Sequence, residues 1–107
     1  MAIQISSEIL EGIVLSALQQ ADLYGYALTQ QVQSIFDISE STIYPVLRRL
    51  KKEQYLTTYD QPYQGRNRRY YQITDLGQQR LASIKCDWQD FNKKVNQVLG
   101  DQDESGN

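Results

Sequence analysis

The sequence predicts a mainly α-helical domain with a small β-hairpin. Three observations carry that expectation. Apolar residues recur at helical spacing in four separate stretches. The period drops to two only within residues 55–74, on both sides of a segment holding Pro62 and Gly65. Short polar breaks, each rich in Asp, Ser or Gly, separate the stretches. With 107 residues, 40% of them hydrophobic and 22% charged, the chain fits a single globular domain.

The first helix is expected over Ser7–Gln20, where Ile9, Leu10, Ile13, Val14, Ala17 and Leu18 share a face. Ser6 or Ser7 can cap it, and Glu8 suits the positive end of its dipole. The segment ADLYG breaks the pattern. A second helix covers about 24–35, with Leu28, Val32 and Ile35 expected inward. After FDIS comes a third, about 39–53, containing STIYPVLRRL. Ile43, Val46, Leu47 and Leu50 form its apolar face, and Ser39 is its expected N-cap. The runs YLTTYDQ and RRYYQIT favour strands, with PYQGRN as the turn between them. Thr74 and Asp75 start a fourth helix, about 75–99, roughly 37 Å long. The remainder, GDQDESGN at 100–107, reads as a disordered acidic tail.

Composition excludes several function classes. No apolar run is long enough for a transmembrane helix. MAIQISSEIL lacks a basic segment followed by an apolar one, so no signal peptide is expected, and a cytoplasmic location is. The single cysteine, Cys86, makes no internal disulfide and is expected as a small buried or half-buried hydrophobe. With no histidine, no P-loop and no clustered metal ligands, the parts for catalysis are missing. Neither enzyme activity, cofactor nor metal is expected.

Net charge is −2, but it is unevenly spread. Residues 1–40 carry five acids and no base, whereas residues 41–73 carry seven bases and two acids. A polyanion responds to the local field of such a patch. The third helix turns Ser41, Tyr44, Pro45, Arg48 and Lys52 away from its apolar face, with Thr42 and Arg49 on the flanks. Arginine suits guanine edges in a major groove, and hydroxyls reach bases or phosphates. The hairpin tip adds Gln64, Gly65, Arg66, Asn67, Arg68 and Arg69, suited to phosphates or a narrow minor groove. The alternatives are a solvated helix face and a charged edge that discourages strand pairing. Both cationic elements bracket one short region, which solvation does not require, so double-stranded DNA is the expected partner.

The blocks LYGYAL (23–28), ISESTIYPVLRRLKKEQYL (38–56), GRNRRYYQIT (65–74) and TDLGQQRL (74–81), in that order, resemble the PadR family of bacterial transcriptional regulators. The resemblance spans about residues 8–99. It implies a winged helix-turn-helix domain over 1–74 and a homodimer that represses at an operator. On it, Ser41, Thr42, Tyr44 and Arg48 fall on the recognition helix, and Gly65, Arg66, Arg68 and Arg69 on the wing. Tyr24 and Gly25 match a structural block. Glu40 and Ser41 depart from the family, which often has proline and glycine there.

Leu81, Ile84, Trp88, Phe91, Val95 and Val98 are spaced alternately by three and four, a heptad seam. The stripe exceeds what one small domain needs, so its first part is expected to dock on the chain's own core and the rest on a second copy, with 75–99 as a dimerisation helix and Ile9 and Ile13 of the first helix beside it. A two-fold dimer would meet an inverted-repeat operator. Trp88 has two readings: a dimer-core residue, or, with Phe91, the wall of a pocket for a small aromatic effector. The family's responses to phenolic acids and to planar drug-like compounds both suit the second. A winged helix used for protein–protein contact is the remaining alternative for the whole chain.

Overall fold

The structure is a computed structural model, and it describes residues 4–100. The acidic tail expected after Gly100 lies outside the described residues. Helix α1 runs Ser7–Gln20, strand β1 Leu23–Tyr24, α2 Gly25–Gln33, α3 Glu40–Lys52, β2 Leu56–Tyr63, β3 Arg66–Ile73 and α4 Asp75–Leu99. Ser6 caps α1, its Oγ accepting from the Ile9 amide at 3.2 Å. Thr74 caps α4 in the same way, accepting from Gly77 N at 3.0 Å. Ser39 occupies the N-cap of α3 but makes no capping bond to its backbone. Its hydroxyl pairs with Ser41 Oγ at 2.8 Å and Thr42 Oγ1 at 3.2 Å.

The core lies where the apolar faces of the helices meet. Leu15 and Leu18 of α1, Leu28 of α2, Ile43, Leu47 and Leu50 of α3, Leu56 of β2 and Leu81 of α4 are fully or almost fully buried. Each such side chain contributes about 1.5–3 kcal/mol through burial. The apolar face of α3 is thus the part that docks it. Pro45 stays exposed on the other side and α3 passes through it unbroken.

The strands form one antiparallel sheet in the order β1-β3-β2. Periodicity does not reveal β1, because two residues are too few to alternate. Leu23 pairs with Tyr71 and Tyr24 with Tyr70. The hairpin strands reach further than expected, to Tyr63 and from Arg66, leaving a two-residue turn of Gln64 and Gly65. Both turn residues have positive φ, 51° and 79°, as a type I′ hairpin requires. Pro62 therefore sits inside β2, which tolerates it as an edge strand. A helix-turn-helix, a hairpin wing and a long C-terminal helix make this a winged helix-turn-helix fold.

Two expectations about the interior fail. Ile35 is 75% exposed, because α2 ends at Gln33 and residue 35 no longer follows the helical phase. Cys86 is also exposed, lying off the α4 seam. One buried group is unexplained by packing: among the described residues, the Thr29 hydroxyl on α2 has no hydrogen-bond partner. Thr29→Val keeps the shape and removes that cost, so it is expected to stabilise the fold by about 1 kcal/mol. A higher urea midpoint at unchanged slope is the expected reading.

Candidate nucleic-acid interface

The outward face of α3 presents Ser41, Thr42, Pro45, Arg48 and Lys52, all exposed. Tyr44, expected among them, is only half exposed and packs on the core. Its hydroxyl lies 3.1 Å from where a Cβ on Gly25 would stand. Glycine at the start of α2 therefore leaves the space that Tyr44 uses.

Tyr71 of β3 ties α3 to the wing. Burial raises its phenol pKa first and Tyr44 adds to this, while the charges of Arg69 and Arg48 pull the other way. An arginine from β3 and one from α3 thus act on the same ring. Tyr44 of α3 and Tyr71 of β3 also meet beside Gly25, at 3.1 and 3.7 Å from where a Cβ there would stand.

On the hairpin, Gln64, Gly65, Arg66 and Asn67 are exposed at the tip. Together with Tyr63 and Arg68 they line a hollow of about 550 Å³. No atom lies within 4 Å of where a Gly65 side chain would begin, so positive φ alone selects glycine there. Arg69 Nε meets Asp60 at 3.4 Å, with both side chains well exposed, a pairing of little energetic weight.

Two arginines expected on this surface are engaged elsewhere. Arg49 turns to α1, where it donates to Glu11 Oε2 at 2.7 and 3.1 Å and to Ser7 Oγ at 2.8 Å. Arg68 is stacked between two rings, 3.9 Å from the Tyr24 centroid and 3.5 Å from that of Tyr63. These contacts hold the wing to β1 by cation–π attraction. Tyr24, expected in a structural block, thus packs against the wing, and Tyr63 joins it there. The signal was there in the two-residue period, since Gln61 opposite Arg68 places Tyr63, Arg66, Arg68 and Tyr70 on one face of the sheet. Tyr59 and Tyr70 stack further along that face, with centroids 5.5 Å apart.

A second feature lies away from the cations. An apolar groove of about 930 Å³ is lined by Ile9 and Ile13 of α1, by Ile35 and Phe36, and by Trp88, Phe91 and Val95 of α4. Trp88 is 45% and Phe91 60% exposed, with ring centroids 6.3 Å apart. The seam of α4 is therefore divided. Leu81 and Ile84, the first part of the seam expected to meet a second copy, are buried in the chain's own core beneath α1. Gly12 of α1 makes that burial possible, because a Cβ there would stand 2.7 Å from Ile84 Cγ2. Beyond Ile84 the helix has no fully buried residue, and Val98 is among its most exposed.

Residues 14–83 match the transcriptional regulator PadR-like family. The chain belongs to the PadR family. A PadR-like transcriptional regulator of Bacillus cereus has a similar structure, with a TM-score of 0.78 at 33% identity, covering 87% of this chain and 93% of its own. A Streptococcus mutans protein of known structure reaches a TM-score of 0.85 at 35% identity, over 92% of this chain and 93% of its own. An uncharacterised protein of Lysinibacillus sphaericus is 33% identical over 84 residues, 74% of this chain and 77% of its own. The PadR match takes in α2, α3, the wing and the first turns of α4, where the cationic surface lies. Among the described residues no helix is long and apolar enough to cross a membrane, and no cluster of metal-ligating side chains occurs.

Proposed function

We propose that this PadR-family regulator is a homodimeric repressor that binds an inverted-repeat DNA operator and is released from it by a small aromatic molecule. The observation that supports the reading is the set of exposed cations on two neighbouring elements, Arg48 and Lys52 on α3 and Arg66 at the hairpin tip, none with an acidic partner among the described residues. In this reading Ser41, Thr42, Arg48 and Lys52 meet the major groove, and Gln64, Arg66 and Asn67 meet the adjoining backbone or minor groove. Arg49 and Arg68 take no direct part, since other groups hold them.

The half-exposed aromatic stripe on α4 supports the dimer. Trp88, Phe91, Val95 and Val98 are the seam residues left for a second copy, with Ile9 and Ile13 beside them. The groove they border supports the effector, whose binding would favour a dimer with the wrong spacing of recognition helices.

Fluorescence anisotropy on duplex DNA selected from a randomised pool tests the reading. Arg66→Ala is expected to weaken binding to all sequences alike and to lower the salt slope by about one. Arg48→Ala is expected to cost about 1–3 kcal/mol at one base pair and to relax specificity there. DNA affinity indifferent to salt would contradict DNA binding and leave protein–protein contact as the use of the fold. Trp88 quenching by phenolic acids or planar cations is the expected sign of the effector; emission indifferent to both classes would remove it.

A further inference from the structure

Glu11 stands apart from both surfaces and touches the helices that carry each. Its side chain is only 12% exposed, so it is a nearly buried carboxylate. Glu11 Oε2 accepts from Arg49 of α3 at 2.7 and 3.1 Å. Glu11 Oε1 accepts from Arg80 of α4 at 3.0 and 3.3 Å. One α1 carboxylate is thus shared between two guanidinium groups from different helices.

The sharing is strong and directional. Charge-assisted bonds of this length are among the tightest side-chain contacts, and burial lowers the screening. Burial of Arg80 favours its neutral form, but the bonds and charge of Glu11, with further help from Glu8 and Tyr55, together outweigh that and raise its pKa. Charge pairing therefore prevails over desolvation at this point.

Position gives the sharing a role. Arg80 is one helical turn before Ile84, and Ile84 rides over Gly12, the neighbour of Glu11. Arg49 follows Arg48, the proposed base-reading residue. Helix α4 also carries Trp88 and Phe91, which border the apolar groove. A shift of α4 along α1 by an ångström or two, the usual size of helix shifts at interfaces, must break or drag this ion pair.

We propose that Glu11 is the positioning residue that couples the α4 groove to the DNA-reading helix: displacement of α4 moves Arg80, the shared carboxylate and Arg49 together, and so resets α3. The proposal rests on the repressor reading above and names the joint through which it operates. Coupling of this kind is reciprocal, so DNA bound at α3 must also be felt at the groove.

Trp88, the only tryptophan, reports that reverse effect. Emission is recorded while the full-length protein is titrated with duplex DNA selected from a randomised pool. Wild-type protein is expected to show a Trp88 change that saturates with binding. Glu11→Gln is expected to lose most of that change when saturated with the same DNA, and to bind it about tenfold more weakly. Arg80→Gln severs the α4 arm and its 3.9 Å contact with Glu8 while leaving the Arg49 bonds in place, and is expected to lose the response too. It also decides the matter if Glu11→Gln does not fold. A full Trp88 response in Arg80→Gln or in folded Glu11→Gln overturns the joint, as does wild-type protein that binds DNA with Trp88 unchanged. Wild-type protein that binds no duplex at all overturns the repressor reading, and this one with it.

Discussion

Gly77→Ala is expected to be the most damaging single-methyl change in the chain. A Cβ at Gly77 would overlap the Tyr55 carbonyl oxygen and also press on Ile73 Cγ1 at 2.8 Å. The obstacle is backbone, so no rotamer change relieves it. That carbonyl is itself engaged, accepting from Thr74 N at 3.1 Å, while Thr74 Oγ1 donates to Gln54 O at 2.7 Å. Making room means pulling the start of α4 away from the turn between α3 and β2, with the loss of its cap. A cost of about 3–4 kcal/mol follows, above the ordinary range for overpacking. At fixed protein concentration this lowers Tm by roughly 15 °C or more. A thermal scan with Tm unchanged would mean that the close approach of α4 to Tyr55 does not exist in solution.

Trp88→Glu combined with Phe91→Glu is expected to act on assembly and leave the fold intact. Both rings are substantially exposed in the single chain, so replacing them costs its core little. In the proposed dimer each lies on the shared seam, and charges would face charges across the two-fold axis. Central aromatic residues at interfaces carry about 2 kcal/mol or more each. The dimer dissociation constant is therefore expected to rise at least a hundredfold. DNA affinity should fall with it, since a monomer meets only one half-site. Light scattering coupled to size exclusion measures the first effect and anisotropy the second. A double variant that stays dimeric would remove α4 from the interface.

Helical periodicity was enough to place α1, α3 and α4, and a change of period was enough to find the wing. Those patterns are local, and burial enforces them. The short strand β1 was invisible because its pairing partner lies far along the chain, at Tyr70 and Tyr71. Arg49 and Arg68 looked like Arg48 and Arg66 on a wheel or a strand. Only the fold brings Glu11 to one and a pair of tyrosines to the other. Leu81 and Ile84 repeat with the rest of the seam, yet Gly12 lets α1 settle on them and divides the stripe. Glycines at 12 and 77 act through close approach across the fold, which spacing along one element does not encode.

The unpaired cations have a kinetic consequence. Among the described residues, Arg48, Lys52 and Arg66 have no acidic partner, while Glu11 is occupied by two arginines. A molecule of net charge −2 therefore approaches a polyanion as an oriented dipole, turned by the field before contact. Association should be fast at low ionic strength and slow steeply as salt rises, even though the whole molecule is weakly repelled by DNA at long range.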